Sequence, residues 1–252
     1  MLRLLVVLLV LALPARAEEV VLGLSSDSVS ISTNFDGSEI LIYGAIKREE
    51  AVPDGPPLQV IVAVAGPSQP LTVRRKERRF GIWVNTEAVE VDEAPSFYAI
   101  ATTAPWNDVI RDTEDLRHKV SIPRAIRSVG APMTVTDSQS FSDAVIRIRM
   151  NNGLYQLNEG TVNLREDTLF STRIAMPANL TEGDYATRIL LTRGGTVVAD
   201  YVTAIDVRKV GLERWLFTLS RQQPLLYGLM SLAIAIAAGW GASAAFRMLR
   251  SN

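Results

Sequence analysis

Five cations fall within six positions at Arg74-Arg75-Lys76-Glu77-Arg78-Arg79. Guanidinium and ammonium groups at this density can clamp an anion through charge-assisted hydrogen bonds, and they can meet lipid headgroups. A solvated hairpin, or an edge strand kept from pairing by its charge, carries the same residues. Trp83 and Trp106 would join Arg74, Arg75, Lys76, Arg78 and Arg79 in an anion- or glycan-binding site if a groove gathered them. Charges splayed along an edge would speak against that site.

A second group is Asp112, Glu114 and Asp115, within a stretch of alternating charge, Asp108 to Lys119. These carboxylates could hold calcium weakly, but they lack the glycine and terminal glutamate of an EF-hand loop. A solvated helix or loop fits the composition better. His118 is the one histidine in the chain, between Arg117 and Lys119. That neighbourhood supplies no orienting carboxylate next to it in sequence, so a surface position is expected. A single histidine rules out multi-histidine zinc sites, and the absence of cysteine removes disulfides, thiolate metal sites and cysteine nucleophiles. No G-x-S-x-G, H-E-x-x-H or P-loop pattern is present. No catalytic residue, cofactor or metal is therefore expected, and the chain is read as a non-enzyme. A hydrolase using paired carboxylates is the less favoured alternative.

The elements that would position these groups are mostly strands. Ser38 to Ile46 puts Ile40, Ile42, Gly44 and Ile46 on one face with a period of two. Leu58 to Ala65 (LQVIVAVA) is an apolar run, broken only by Gln59, between Pro-Pro and Gly-Pro, as suits a strand covered on both faces. Arg79 to Asn85 and Ser96 to Thr102 supply two more, and Val20 to Leu24 and Ser28 to Ser32 suit edges. The expected fold is mainly β: an antiparallel Ig-like sandwich of one or two units with one inserted helix. No cysteine pair or tyrosine-corner spacing is read that would specify the immunoglobulin family.

Ile122 to Pro132 reads as a connector. Phe141, Ala144, Val145 and Ile148 then fall at i, i+3, i+4 and i+7, predicting a helix near 141–152 with Arg147 and Arg149 turned away. Leu169 to Met176 alternates. Tyr185–Leu191 and Thr196–Val207 form a hairpin through Gly194-Gly195. The domain boundaries expected from this pass are 18–120 for a β-sandwich domain and 121–209 for a second β-rich unit.

Membrane-type segments bracket this region. Residues 1–17 hold Arg3, a ten-residue apolar run, Pro14 and an Ala-Arg-Ala cleavage site, which is a secretory signal peptide. Pro224 to Phe246 holds no charge over 23 residues, about 34 Å of helix against a hydrocarbon core of about 30 Å. Residues 210–223 suit an amphipathic juxtamembrane helix, with Leu212, Trp215, Leu216 and Leu219 on one face. Trp215 and Tyr227 would be interfacial aromatics. Residues 247–252 form a short tail. Translocation would leave the β-region in the periplasm and the tail in the cytoplasm. Arg247 and Arg250 agree with the positive-inside rule, whereas Arg208, Lys209, Arg214 and Arg221 oppose it. Ala233, Ala237, Gly241 and Ala245 recur every four residues along the span. Such small faces let helix backbones approach closely, which predicts a second membrane helix as partner, either another copy or a multispanning protein. The net charge of -1 gives no sign of nucleic-acid binding.

The stretches Phe141–Tyr155, Leu169–Gly195 (LFSTRIAMPANLTEGDYATRILLTRGG), Val207–Phe217 (VRKVGLERWLF) and Pro224–Arg247 (PLLYGLMSLAIAIAAGWGASAAFR) resemble the putative transmembrane protein family of alphaproteobacteria. The resemblance covers nearly the whole mature chain. It implies a signal peptide, a periplasmic β-rich region and one C-terminal span in the inner membrane. It brings no established activity and no catalytic residues. Genes of the family often lie beside a sulfite/sulfonate exporter-type permease, which implies a transporter accessory role.

Overall fold

The computed structural model describes residues 19–24, 28–31, 37–47, 55–127, 137–209 and 212–250. The signal peptide expected over residues 1–17 lies outside them. The chain forms two compact units, Met1–Val29 with Asp36–Val207, and Ser30–Phe35 with Arg208–Asn252.

In the first unit, strands β1 (Glu19–Leu24), β3 (Ser38–Lys47), β9 (Asn163–Arg165) and β10 (Leu169–Met176) form one sheet in the order β1-β3-β10-β9. The alternation read in β3 is realised: Ile40, Ile42 and Ile46 are buried, and Tyr43 is exposed on the opposite face. Strand β10 adds Phe170, Ile174 and Met176 to the buried side. Gly44 sits where a Cβ would come within 2.7 Å of the Phe170 ring and 2.9 Å of the Val21 carbonyl, so only glycine fits there.

The larger sheet runs β2-β12-β11-β4-β7-β8. Its strands are β2 (Ser28–Ile31), β4 (Leu58–Ala65), β7 (Tyr98–Thr102), β8 (Tyr155–Asn158), β11 (Gly183–Arg193) and β12 (Thr196–Lys209). From Val60 to Ala65 the β4 run is apolar because both its faces are covered. Val60, Val62 and Val64 turn one way, and Ile61 and Ala63 the other, all buried. On the first side, Tyr185, Ile189 and Leu191 of β11 and Ile205 and Val207 of β12 are fully buried, and β10 approaches β7, so the two sheets form a sandwich. On the second side Ile61, Ile100 and Leu190 join a separate core with Val109, Val120, Ile122, Val145 and Tyr155. A helical layer supplies those partners: α1 (Trp106–Val109), α2 (Asp112–His118), α3 (Ile122–Ala125) and α4 (Gln139–Asn151). Fully burying each large aliphatic or aromatic side chain contributes about 1.5–3 kcal/mol, so this second core weighs heavily in stability.

Several expectations are corrected. The division near residue 120 is absent, because β10 pairs with β3 and β11 pairs with β4, so chain from both sides of it builds both sheets. The sandwich is not wholly antiparallel. β7 and β8 run parallel, joined by the crossover through the helical layer. The stretch read as a connector contains α3, and 108–119 contributes buried Val109, Ile110, Glu114 and Asp115 rather than a solvated helix. In α4 the buried stripe is Phe141 and Val145 with half-buried Ile146. Ile148 is 53% exposed, and Arg149 turns inward, donating to the Pro95 carbonyl and to Tyr155 Oη at 3.3 Å.

The hairpin through Gly194-Gly195 stands as read. Both glycines have positive φ, 53° and 80°, as the tight turn requires. At the start of β11, Tyr185 is fully buried and its hydroxyl donates to the Thr181 carbonyl, four residues back, at 2.8 Å. This hydrogen bond has the geometry of a tyrosine corner, which the sequence reading missed.

In the second unit, α5 (Leu212–Gln222) and α6 (Pro224–Arg250) are separated only by Gln223. Pro224 opens α6 at the position where its missing N–H costs least. The backbone bonds Gln223 N to Leu219 O (2.9 Å) and Tyr227 N to Gln223 O (3.1 Å) carry the chain through the junction.

Candidate functional site

The basic run lies on β5 (Ser68–Arg79), paired with β6 (Ile82–Pro95) as a two-stranded ribbon. Two apolar rungs anchor its base. Leu71 and Val73 of β5, and Val91 and Ala94 of β6, pack into the core beneath the helical layer. The base strands were hidden in the sequence by charges on the outer positions, since Val89 and Val91 alternate with Glu90 and Asp92. Arg79 ends β5 rather than opening the next strand.

Arg75 is the one cation of the run that turns inward. Its guanidinium donates to Glu87 Oε2 at 2.9 Å and to Ser140 Oγ, meets Asp137 Oδ2 at 3.4 Å, and lies over the Phe141 ring at 4.6 Å. The Ser140 hydroxyl, followed by Arg75, holds the Asp137 carboxyl below its ordinary range. Arg75 thus ties the ribbon to the start of α4. The register slips by one residue at this point, leaving Thr86 as a bulge.

Beyond the bulge the ribbon's strands pair with each other, and among the described residues no other strand pairs with them. Arg74, Lys76, Arg78 and Arg79 are exposed, and Arg79 pairs with Glu77 at 3.2 Å. Arg78 faces Trp83 across the strands and Arg79 faces Ile82. Phe80 and Gly81 make the turn with φ of 51° and 85°. A bulky residue in the left-handed region costs on the order of 1 kcal/mol or more. Phe80 is 106% exposed, Trp83 68% and Ile82 64%. The run is therefore not a groove, and Trp106 stands apart from it.

Trp106 instead lines a cavity of about 630 Å³ between the helical layer and the edge of the larger sheet, with Ile100, Ile122, Ile146 and Met150. Asp115 and Arg124 supply its polar edge, and no cation of the 74–79 run lines it. Asp115 is buried and accepts from Val120 N (3.1 Å), Ser121 N (2.7 Å) and Arg124 Nε (3.1 Å), which fixes the turn after α2. Glu114 is also buried. It accepts from Val197 N at 3.2 Å and meets Arg117 at 3.1 Å and His118 Nε2 at 3.7 Å. His118 is thus half-buried with a carboxylate one helical turn away, not a free surface residue. Among the described residues no group of three or more His, Asp or Glu is placed to hold a metal ion.

Two tyrosines close the floor of this layer. Tyr98 Oη donates to the Val120 carbonyl at 2.7 Å, and Tyr155 Oη donates to that of Pro95 at 2.8 Å. Burial pushes both phenols up to about 12, against opposing charge from Arg188 at Tyr98 and from Arg149 at Tyr155.

Of the C-terminal helices, α5 is amphipathic and α6 is apolar and exposed. Pro224–Ser243 is long and apolar enough to cross a membrane, with mean hydropathy 1.7, and none of it is buried. Ala233, Ala237 and Gly241 of the small-residue face are exposed, and a Cβ added at Gly241 would meet nothing within 4 Å. The Ala245 side chain lies outside the described residues. On α5, Leu216 and Leu219 are half-buried while Trp215 and Phe217 are exposed, with Arg221 over the Phe217 ring at 5.6 Å. Tyr227 is also exposed, one turn into α6.

No curated protein matches the chain. The family model described as "Putative transmembrane protein (Alph_Pro_TM)" matches residues 19–248, from β1 to the end of the apolar helix. With that match spanning the β-region, the amphipathic helix and the one candidate membrane span among the described residues, the chain belongs to this alphaproteobacterial transmembrane family.

Proposed function

We propose that the protein is a non-enzymatic periplasmic β-domain, anchored in the bacterial inner membrane with its C-terminus in the cytoplasm, that serves as accessory or assembly partner of a membrane transporter. The observation that carries this reading is α6. It is an apolar helix, uncovered along its span, whose face of Ala233, Ala237 and Gly241 leaves room for a second helix to approach closely. Anchoring in lipid alone would be served by large apolar residues all round.

The buried carboxylates support the non-enzymatic reading. Glu114 and Asp115 are both occupied by backbone N–H groups and neighbouring cations. The alternative of an anion- or glycan-binding module loses its proposed groove, since Trp83 and the cations lie on the ribbon and Trp106 lies at the cavity. A sulfite/sulfonate exporter-type permease is the expected partner.

Affinity purification of the full chain from membranes, with mass spectrometry of what accompanies it, tests the proposal. A multispanning permease should co-purify with the natural sequence and be lost with Gly241→Leu, which fills the small face. Recovery of the same partner at the same yield with Gly241→Leu would remove the helix face from the interaction. Isolation of a lone monomer would remove the accessory role.

A further inference from the structure

We infer that the tip of the β5–β6 ribbon is a lipid-inserting wedge, in which Phe80, Ile82 and Trp83 enter the interface of an anionic membrane while Arg78 and Arg79 bind its phosphates. The inference does not depend on any protein partner of α6.

Three observations carry it. The first is the apex. Phe80 is wholly exposed, and it occupies a left-handed turn position where Asn or Gly is the ordinary choice. Neither the fold nor the turn gains from a phenylalanine there, so its benefit must come from a surface that covers it. The second is the grouping. Ile82 and Trp83 follow immediately, giving three large apolar side chains in four residues at the extreme end of a ribbon. Exposed apolar groups clustered in this way mark an interaction surface.

The third observation selects lipid as the occupant. The cross-strand pairs Arg78–Trp83 and Arg79–Ile82 place one cation beside each apolar residue on opposite faces of the ribbon. An apolar apex with a cationic collar matches the depth profile of an anionic leaflet, hydrocarbon first and phosphate next. From Arg74 to Arg79 the charges are five positive and one negative, the negative being Glu77, which pairs with Arg79. Arg75 is occupied by Glu87 and Ser140, leaving three exposed cations besides Arg79. Lys76 to Phe80 spans about 16 Å at the rise of a strand, enough to seat the apex about 5–10 Å deep with the collar at the headgroups. Tryptophan favours that boundary, and the same chain carries a helix long and apolar enough to cross a membrane.

The chain has no cysteine, so a single one can be placed at will. Phe80→Cys, carrying an environment-sensitive fluorophore, is reconstituted as the full chain into phosphatidylcholine vesicles with and without phosphatidylglycerol. Both contain acyl-chain nitroxide lipids, and a Thr161→Cys label on the β8–β9 connection serves as reference. The label at 80 should be quenched well beyond that at 161 when phosphatidylglycerol is present. Arg78→Gln and Arg79→Gln should each lower the inserted-to-free ratio about five-fold. Unchanged far-ultraviolet dichroism keeps these variants interpretable, since the tip contributes nothing to either core. Equal quenching at 80 and 161 overturns the proposal. So does protection of position 80 that arises only when other membrane proteins are added, which would mean the wedge docks on protein.

Discussion

Tyr98 and Tyr155 set the alkaline limit of the fold. An unfolded tyrosine ionises near 10, and burial holds both of these near 12. Between those values the unfolded chain has given up protons that the folded chain still holds, so stability falls as pH rises. Below pH 10 the contribution is fully present and does not vary. Two pKa units per phenol set a ceiling of about 2.7 kcal/mol each, and partial access of water lowers this, so a loss of about 2–4 kcal/mol is expected from pH 10 to 12. Urea midpoints of the full chain across that range check it, and Tyr155→Phe should flatten the slope. A pH-independent midpoint would mean that neither phenol is sealed. Single residues were unevenly legible in the sequence. The pairing of His118 with Glu114 follows from i, i+4 spacing and could have been read. Tyr185 could also have been read from its place after Gly183-Asp184 at a strand start. The left-handed Phe80 could not, because nothing about phenylalanine announces positive φ.

At the scale of elements, β4 and the Gly194-Gly195 hairpin were plain because local signals and tertiary environment agree there. The ribbon was not plain. Its base has one apolar face and one acidic face, and its tip reverses the usual arrangement by exposing the apolar residues. The structure predicts two regimes of motion within it. Rungs between Ser68 and Arg75 are backed by core contacts, whereas those from Lys76 to Asn85 have, among the described residues, no core residue behind them. Hydrogen exchange should therefore be slow in the first set and fast in the second. Arg75→Ala removes the tie to Glu87, Ser140 and Phe141. At half-exposed sites such contacts are worth about 1–2 kcal/mol together, so exchange in the rungs from Val73–Val89 to Arg75–Glu87 should accelerate about ten-fold. Unchanged exchange would show that the base core alone holds the ribbon.

For the whole molecule, the order of segments was clear from hydropathy, and the family match follows that order from β1 through α6. The interleaving of the two halves was not legible, because strand pairing over a hundred residues leaves no local trace. Orientation is open to direct measurement. A fluorescent-protein fusion after Asn252 should glow and an alkaline-phosphatase fusion there should be inactive, as a cytoplasmic C-terminus requires. The reverse pattern would side with Arg208, Arg214 and Arg221 and invert the protein in the membrane.

The pairing of β3 with β10, and of β4 with β11, also governs when this protein can fold at all. During synthesis β3 has only β1 beside it until residues 169–176 have been made, and β4 has only β7 until 183–193 follow. Both sheets carry open, apolar edges for most of the time the chain is growing. Such long-range topology folds slowly and is prone to misassociation while incomplete. On the proposed periplasmic location, the delay would suit threading through a membrane pore before the chain compacts. It also means that the last strands to complete the sandwich are followed within a few dozen residues by the apolar helix, so little of the chain remains to be made once the sandwich can close.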